Sequence, residues 1–439
     1  MDPVIVGVFA IALLLILLAA SLHIAVNFLL VGFVATAVLL GVNVALALLG
    51  QTMYYSIATP SFAALPLFVL MGAFATGGGF AKRVYDGIHT ASAGLPGSLG
   101  ITTCFGCAAF GAVSGSSLAA SAIFGRLALP EMKRHNYDKA FSLGTIASAG
   151  TFAAMIPPSA MFIIYAIFTE QSVGKLFIAG IIPGCITAVV YSASIIIRVW
   201  LNPQLAPSMP EERHVTFQKR VSSLVQIWPV AILAVIVLGG IYSGVFTSTE
   251  AGAAGAVATL IFGVFGGKLR DMKTIRKALR ESAETTSMVF IIIVGALFFT
   301  RVLTITRIPV MLTEQVMAWD LPKIVVLMAI LVLWFLLGML IIPTGICALT
   351  LPIIYPIIIK LGYDPIWFGV IVLKLAEIAA VTPPVGLNVF ALKGVSGEDT
   401  TIEDIYKGIW PYVVCDVIVL VFLIIFPQLS LFLPNLMMK

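Results

Sequence analysis

Long apolar runs separated by short polar stretches dominate this chain and predict helices that cross a membrane. An α-helix needs about 20 mostly apolar residues to span a bilayer, and several runs approach or exceed that length. A transmembrane β-barrel would instead alternate in segments of about ten residues. The predicted fold class is therefore an all-α polytopic membrane protein. In the first half we expect spans at about 4–22, 24–42, 61–79 and 174–200, with a weakly polar connector at about 43–60.

One apolar segment of the first half is interrupted too often to be a simple span. Arms at about 98–112 and 118–129 flank the Gly/Ser stretch 111–117. Helices of about twelve to fifteen residues reach only about 18–22 Å, short of the roughly 30 Å hydrocarbon core. We expect a re-entrant helical hairpin at about 95–130 with its tip at mid-membrane, and one long glycine-rich span is the alternative. The amphipathic stretch 79–86, which precedes it, predicts a helix along the membrane surface.

A Pro-Pro pair breaks an apolar run twice, at Pro157-Pro158 and at Pro383-Pro384. Proline lacks an N–H and leaves the carbonyl four residues earlier without a helical partner. In lipid, such a carbonyl costs several kcal/mol unless protein, water or an ion satisfies it. Broken helices at corresponding positions of two halves mark the binding site of many transporters, whereas simple kinks repaired by neighbouring helices are the alternative. The freed carbonyls are those of Ala153, Ala154, Ala379 and Ala380.

The second half repeats the first in a register of 226 residues. Pro96 and Tyr137 recur as Pro322 and Tyr363, and the Pro-Pro pairs keep the same spacing. An internal duplication is the simplest explanation. The predicted units are a first repeat at 1–200, a cytoplasmic linker loop at 201–222 and a second repeat at 223–439, with three spans opening each repeat. Within them we expect broken helices at about 140–168 and 364–395, a second hairpin at about 321–360 with its tip near 342–345, and a final span at about 408–433.

The distribution of charge predicts the orientation. Only 10% of the residues are charged, and the basic excess of +5 falls in a few loops, so it does not indicate nucleic-acid binding. Basic residues cluster at 126–139, 202–221 and 268–281, and loops rich in Lys and Arg stay in the cytoplasm. Each half then has five crossings, and because five is odd the halves insert upside down relative to each other. Both termini and Pro60 are expected to be periplasmic, with Arg134, Arg213 and Lys273 in the cytoplasm.

Little in the sequence supports a metal site, a redox site or an enzymatic activity. Cys104 and Cys107 form a C-x-x-C motif inside an apolar run without a second ligand pair, which indicates packing rather than a metal or redox site. No phosphate-binding loop or common hydrolase motif occurs, so neither ATP hydrolysis nor another enzymatic activity is expected. No cofactor is expected.

Five stretches resemble the large membrane subunit of tripartite ATP-independent periplasmic (TRAP) transporters, the DctM family. The most specific is 377–388, Glu-Ile-Ala-Ala-Val-Thr-Pro-Pro-Val-Gly-Leu-Asn, where Ala379 stands at a position often occupied by glycine in the family. The resemblance covers nearly the whole chain. The other four stretches are residues 111–117, 156–159, 250–253 and 342–345.

The resemblance implies a permease subunit of the bacterial inner membrane that imports an organic acid with sodium. It implies two partners, a small four-helix membrane subunit and a periplasmic substrate-binding protein. It also implies an elevator motion, in which a transport core at 95–200 and 321–434 moves against a scaffold at 1–94 and 223–320. The substrate itself is not indicated, beyond a carboxylate such as a C4-dicarboxylate or sugar acid, or a sulfonate.

The two breaks and the two hairpin tips supply the candidate site residues. Half-helix N-termini offer N–H groups to an anion without a buried lysine, and freed carbonyls with hairpin oxygens suit sodium. The expected substrate-binding residues are Ser116, Ser117, Pro158, Ser159, Thr344, Gly345, Pro384, Gly386 and Asn388. The expected sodium-binding residues are Gly111, Ser114, Gly115, Ala153 and Ala154 at one site, and Thr344, Gly345, Ala380 and Thr382 at its twin.

The role of the charged residues expected inside the membrane has two interpretations. Lys374 and Glu377 lie three residues apart on a helix and are expected to pair, either as a structural ion pair or as part of ion coupling. Asp416 is expected near a span end in a structural role. Two alternative functions are a self-sufficient sodium/dicarboxylate symporter of the divalent-anion class and, with less support, a membrane-embedded enzyme.

Overall fold

The computed structural model describes residues 2–209, 215–266 and 268–437, without the side chains of Pro60 and Ser61. Arg213, expected in the cytoplasm, lies outside this description. Every regular element in these ranges is helical, which confirms the all-α prediction. The first half contains α1 Pro3–Ala19, α2 Ile24–Leu40, α3 Val42–Ala58, α4 Ala64–Gly77, α5 Phe80–Ser92, α6 Ser98–Ser114, α7 Ser117–Arg134, α8 Lys139–Phe152, α9 Ala160–Thr169 and α10 Val173–Leu201.

The helices of the second half follow a short linker. It contains α11 Phe217–Leu224, α12 Trp228–Ala234, α13 Gly240–Tyr242, α14 Ser248–Gly266, α15 Met272–Ile305, α16 Ile308–Ala318, α17 Lys323–Gly338, α18 Pro343–Lys360, α19 Pro365–Val381, α20 Leu387–Lys393, α21 Ile402–Ile425 and α22 Gln428–Met437. A π-helical turn, Val235–Gly239, joins α12 to α13.

The helices are those of a protein that crosses a membrane several times. Within the described ranges, six helical stretches are long and apolar enough to cross: 173–201, 217–242, 248–266, 272–305, 343–360 and 402–425. The pair α4 and α5 passes the same test but bends by 65°. The bend falls at Gly77–Phe80, where the amphipathic stretch begins, and α5 buries Phe80, Val84 and Tyr85 on one side.

Two sequence expectations about connecting segments are wrong. The expected connector at 43–60 is mostly the helix α3. Its polar residues were mistaken for a loop signal, but they include no charge and no proline until Pro60, so nothing stops the helix. The basic run 268–281 is likewise only partly a loop. Asp271 caps α15 by accepting the N–H of Lys273 at 3.0 Å, and most of the run forms the first turns of that 34-residue helix.

The helix bounds follow the 226-residue register of the sequence. Shifted by that interval, α7 covers 343–360, which are the bounds of α18. The same shift places the start of α8 at 365, where α19 begins, and carries α5 onto α16 to within two residues. The helix α15 corresponds to both α3 and α4, which are separate in the first half.

The later helices of the two halves are packed into each other. The short helix α20 of the second half packs against α7 and α8 of the first, and α9 of the first half packs against α18 and α19 of the second. Close backbone contact between α8 and α21 needs glycine on both sides, because a Cβ at Gly144 or Gly408 would overlap the backbone of the other helix. The helices on either side of the two Pro-Pro breaks therefore pack against one another.

Candidate functional site

The first break lies between α8 and α9 and leaves carbonyl oxygens without helical partners, as the sequence predicts. Helix α8 ends at Phe152, and α9 begins at Ala160. Among the described residues, no N–H donates to the carbonyls of Ala153 or Ala154. Both residues are buried. The break therefore presents unpaired oxygen atoms inside the protein.

The tip of the first hairpin lies on this break. Helices α6 and α7 are separated by only Gly115 and Ser116, and Gly115 has a φ of 59°, a left-handed conformation that suits glycine. A Cβ at Gly111 would come within 2.5 Å of the Ala153 carbonyl oxygen, and one at Gly115 would overlap the Pro158 carbonyl. Among the described residues, the buried hydroxyl of Ser114 has no hydrogen-bond partner. The structure thus places Gly111 against the freed Ala153 carbonyl and Gly115 against the Pro158 carbonyl.

The second break differs in detail from the expectation. Helix α19 continues to Val381, and the Thr382 N–H donates to the carbonyls of both Ile378 and Ala379 at 3.2 Å. The carbonyl of Ala379 is therefore not free, because a tighter final turn satisfies it. The carbonyl of Ala380 accepts no N–H from the described residues, as expected. The Thr382 hydroxyl donates to the Ile378 carbonyl at 2.6 Å, so only its lone pairs remain for a ligand.

The second hairpin contacts the helix before this break through α17. Helix α17 packs against α19, and a Cβ at Gly338 would lie 2.7 Å from the Cβ of Ala379. Thr344, in the first turn of α18, is half-buried, whereas Gly345 is buried against Ile24 of α2 and Ile341. Gly345 is therefore in close contact with α2.

At the breaks, two buried polar side chains have no hydrogen-bond partner among the described residues. Ser159 precedes α9 and is fully buried, and its hydroxyl has no hydrogen bond. Asn388, in the first turn of α20, is also fully buried, and neither its Oδ1 nor its Nδ2 is bonded. An unpaired buried polar group costs roughly 1–3 kcal/mol. Both residues were expected in the substrate site, and their open hydrogen-bonding capacity fits that position.

The remaining expected site residues are placed as follows. Ser116 caps α7 by accepting the Ala119 N–H at 3.3 Å, and Ser117 is the first residue of that helix. Pro158 is buried, whereas Pro384 is exposed. Gly386 has a φ of 58° and precedes α20, which is only seven residues long. Both Pro-Pro peptide bonds are cis.

Two contacts near the breaks were not predicted from the sequence. The Tyr406 hydroxyl, from α21, lies 3.2 Å from the Pro384 carbonyl oxygen and 3.1 Å from that of Val385, and donates to this pair. No spacing in the sequence identifies Tyr406, because it follows Pro384 by 22 residues and reaches the break only through the packing of the folded chain. The contact of Gly72 in α4 with Ser114 was also missed, and there a Cβ would come within 2.8 Å of the Ser114 carbonyl oxygen.

The expected pair of Lys374 and Glu377 is part of a larger buried network. The Lys374 ammonium donates to Glu377 Oε2 at 3.3 Å and to Asp416 Oδ1 at 2.7 Å. The expectation that Asp416 lies near a span end is wrong, since it lies mid-way along α21 and is fully buried. Thr187 and Tyr191 of α10 complete the network, accepting from Lys374 and donating to Asp416 respectively.

Comparison with known proteins identifies the family of this chain. Residues 11–429 match the family model of the tripartite ATP-independent periplasmic transporter, DctM component. The C4-dicarboxylate TRAP transporter large permease protein DctM of Pseudomonas aeruginosa is 37% identical over 85% of this chain and 86% of its own length. The isethionate TRAP transporter permease protein DctMQ of Oleidesulfovibrio alaskensis is 32% identical over 87% of this chain and 59% of its own length.

A solved structure gives the same overall fold at low sequence identity. The YdaH transporter of Alcanivorax borkumensis superposes with a TM-score of 0.59 and covers 98% of both chains at 15% identity, which is a likeness of fold alone. The relatives named above are transporter permeases and not enzymes. The chain is therefore a large permease subunit of the DctM family of TRAP transporters.

Proposed function

We propose that this permease imports an organic anion together with sodium, and that the two Pro-Pro breaks and their hairpin turns form the transport site. The proposal rests on the buried hydroxyl and amide groups at the breaks, because these groups have no hydrogen-bond partner among the described residues. The hydroxyls of Ser114 and Ser159 and the amide of Asn388 all lack hydrogen-bond partners among the described residues. A ligand with both polar and charged groups would satisfy them.

Sodium fits the oxygen atoms at the first break. Gly111 lies against the Ala153 carbonyl and Gly115 against the Pro158 carbonyl, and the Ser114 hydroxyl has no partner among the described residues. The carbonyls of Ala153 and Ala154 and the Ser114 hydroxyl are neutral oxygen donors of the kind that coordinate sodium in broken-helix transporters. The second site would use the Ala380 carbonyl, the lone pairs of the Thr382 hydroxyl, and Thr344 with Gly345. Gly345 contacts Ile24 in this conformation, and we propose that the second hairpin turn moves to complete that set.

The substrate is proposed to be an organic acid bound between the breaks. The relatives are named for C4-dicarboxylate and isethionate, a dicarboxylate and a sulfonate. The N–H groups at the start of α9 and the side chains of Ser159 and Asn388 can donate to an anionic oxygen without a buried cation. Ser116, Ser117, Pro158, Pro384 and Gly386 would shape this space.

An elevator movement is supported by small residues at the contact between the proposed core and scaffold. Gly72 of α4 faces the Ser114 carbonyl at the first hairpin tip, and Gly345 of the second hairpin faces Ile24 of α2. Such contacts involve few polar groups, so a sliding core breaks few hydrogen bonds there. We propose that residues 95–200 and 321–434 move against 1–94 and 223–320.

The proposed inverted topology is supported by contacts between distant segments. Lys139 bonds to Asp404 at 2.7 Å, and the Ser223 hydroxyl donates to the Gly87 carbonyl at 3.0 Å. All four positions fall on the cytoplasmic side in the proposed topology. On the proposed periplasmic side, the Gln171 amide donates to the Tyr355 hydroxyl at 2.9 Å.

The family implies two protein partners, a small membrane subunit and a periplasmic binding protein. The relative named DctMQ is longer than this chain, which matches only 59% of it. We propose that the small subunit is a separate four-helix chain here, that the complex lies in the inner membrane, and that both termini are periplasmic.

Reconstitution tests the proposal directly. Proteoliposomes containing this chain and the small subunit encoded beside it should take up a labelled C4-dicarboxylate or isethionate when a sodium gradient is directed inward and the binding protein is added. Uptake should need no ATP. Uptake that persists with potassium in place of sodium would refute sodium coupling, and uptake without any binding protein would favour the self-sufficient symporter.

A further inference from the structure

The buried network of Lys374, Glu377 and Asp416 carries more negative than positive charge. Two carboxylates face one ammonium, and the three side chains are exposed by 0%, 3% and 0% of their surface. An uncompensated charge in such a place is costly, and buried charges are normally paired or neutralised. One further positive charge is therefore needed in the network.

The hydrogen bonds show which carboxylate is in excess. Asp416 has both oxygens bonded, Oδ1 to the Lys374 ammonium and Oδ2 to the Tyr191 hydroxyl, each at 2.7 Å. Glu377 has a single, longer bond from Lys374 to Oε2 at 3.3 Å, and its Oε1 is buried without any partner among the described residues. The three protons of the Lys374 ammonium are already used by Thr187, Glu377 and Asp416. Lys374 and Asp416 thus neutralise each other, and Glu377 is left over.

The surrounding ionisable groups do not supply the missing charge. Arg198 of α10 is cationic, but its guanidinium lies 5.1 Å from the ring centre of Phe141 and 5.5 Å from that of Tyr412. It follows Tyr191 by seven residues, about 10 Å along the helix. The other ionisable side chains around the network are Cys104 of α6, Tyr191 of α10, and Tyr412 and Cys415 of α21. These four groups are neutral or anionic, never cationic.

We propose that Glu377 is a proton-binding site and holds a proton on Oε1 at neutral pH in this conformation. A proton needs only one oxygen atom, whereas a metal cation needs several, and Oε1 is a single unpartnered oxygen. Glu377 lies three residues before Ala380 on α19, so the proton lies within one helical turn of the second break. This proposal does not depend on the sodium sites or on the identity of the substrate.

The network is not a requirement of the repeated fold. In the 226-residue register, the first-half counterparts of Lys374 and Glu377 are Ser148 and Thr151. The equivalent helix α8 folds with uncharged side chains at these two positions, and the Thr151 hydroxyl donates to the Ser148 carbonyl at 2.7 Å. A purely structural device would be expected in both halves.

Thermal melting of the full chain at several pH values tests the proposal. A Glu377→Gln variant mimics the protonated acid, so it should melt with the wild type at about pH 4, below the pKa of an unfolded glutamate. Between about pH 4 and 8 the wild type should become progressively less stable than the variant, because folding must keep a proton on Glu377 that the unfolded carboxyl has released. The matched variant Asp416→Asn removes the partner of Lys374 and should melt lower at every pH.

Three results would overturn the proposal. A Glu377→Gln chain that fails to fold, or that melts below the wild type by the same margin at every pH, would mean that Glu377 is ionised and needed by Lys374. A difference that appears in sodium and vanishes when choline replaces it would identify a metal cation as the ligand. Infrared spectra provide a measurement that needs no stable variant, since wild-type protein at pH 7 should show the carbonyl stretch of a protonated, buried carboxylic acid.

Discussion

At the scale of single residues, Asn388 differs from a buried asparagine with a structural role. Asn388 and Asn27 are both fully buried. The Nδ2 of Asn27 donates to the Leu14 carbonyl at 2.8 Å and so ties α2 to α1, and only its Oδ1 lacks a partner, whereas neither amide atom of Asn388 is bonded among the described residues. The two residues therefore form a natural comparison between a structural and a ligand-binding amide.

Replacing Asn388 by leucine should abolish transport without destabilising the folded protein. The substitution removes an unsatisfied buried amide, so the melting temperature without substrate should stay constant or rise. Uptake into proteoliposomes should fall to background. The control Asn27→Leu should instead lower the melting temperature, since it removes a hydrogen bond between two helices. Normal uptake by Asn388→Leu would exclude the amide from the transport site.

Single residues also show which contacts can be predicted from the sequence and which cannot. The spacing of Lys374 and Glu377 on one helix predicted their pairing, and the structure confirms it. Asp416 was misplaced because no local rule shows which distant helix will bring a carboxylate to a lysine 42 residues away. Tyr406 was missed for the same reason, because its bonds to the carbonyls of Pro384 and Val385 arise only from the packing of α21 against α20.

At the scale of elements, the sequence predicted helix breaks better than helix continuity. Two successive prolines remove two successive N–H donors, and both pairs lie in breaks as expected, whereas the single prolines inside α7, α10 and α21 leave those helices continuous. The helix α3 was mistaken for a connector because moderate polarity indicates a loop only when residues that disrupt a helix accompany it. The free carbonyl expected at Ala379 was wrong because a helix end can tighten its last turn, as the Thr382 N–H does here.

Converting Pro383 and Pro384 to alanine together should close the second break. The new N–H groups can bond to the carbonyls of Ala379 and Ala380, which allows α19 to continue towards α20. Helix content and membrane insertion should survive, but transport should fall to background or need much more sodium. The matched change at Pro157 and Pro158 should act in the same way, because the Ala153 and Ala154 carbonyls are free at that break.

A single proline-to-alanine change elsewhere provides the control. Pro434 lies inside the terminal helix α22, and replacing it should leave uptake and its sodium dependence unchanged. If the folded double variants at the breaks transport normally, the breaks are kinks only. The site would then have to lie at the hairpin turns.

At the scale of the whole molecule, two observations describe how the two halves are related. The helix bounds repeat with a 226-residue register, and the half-helices of each repeat pack on the hairpin arm of the other. A pseudo-two-fold axis in the membrane plane relates the halves of many transporters with this organisation. The sequence predicted the repeat from paired prolines, but it could not predict the interlocking of α20 with α7, which depends on contacts between residues far apart along the chain.

Accessibility labelling of repeat-related positions tests the inverted topology most sharply. Arg134 ends α7 and Lys360 ends α18, and the two exposed residues are equivalent in the 226-residue register. If the halves are inverted, a membrane-impermeant maleimide added from the periplasm should modify Lys360→Cys but not Arg134→Cys, in a chain without its five native cysteines. Lys273→Cys should also be protected, because it lies in the basic run 268–281, which favours the cytoplasm. Labelling of both repeat partners from the same side would mean that the halves are parallel. The two breaks would then no longer be related by an axis in the membrane plane, and the shared transport site would lose its symmetry argument.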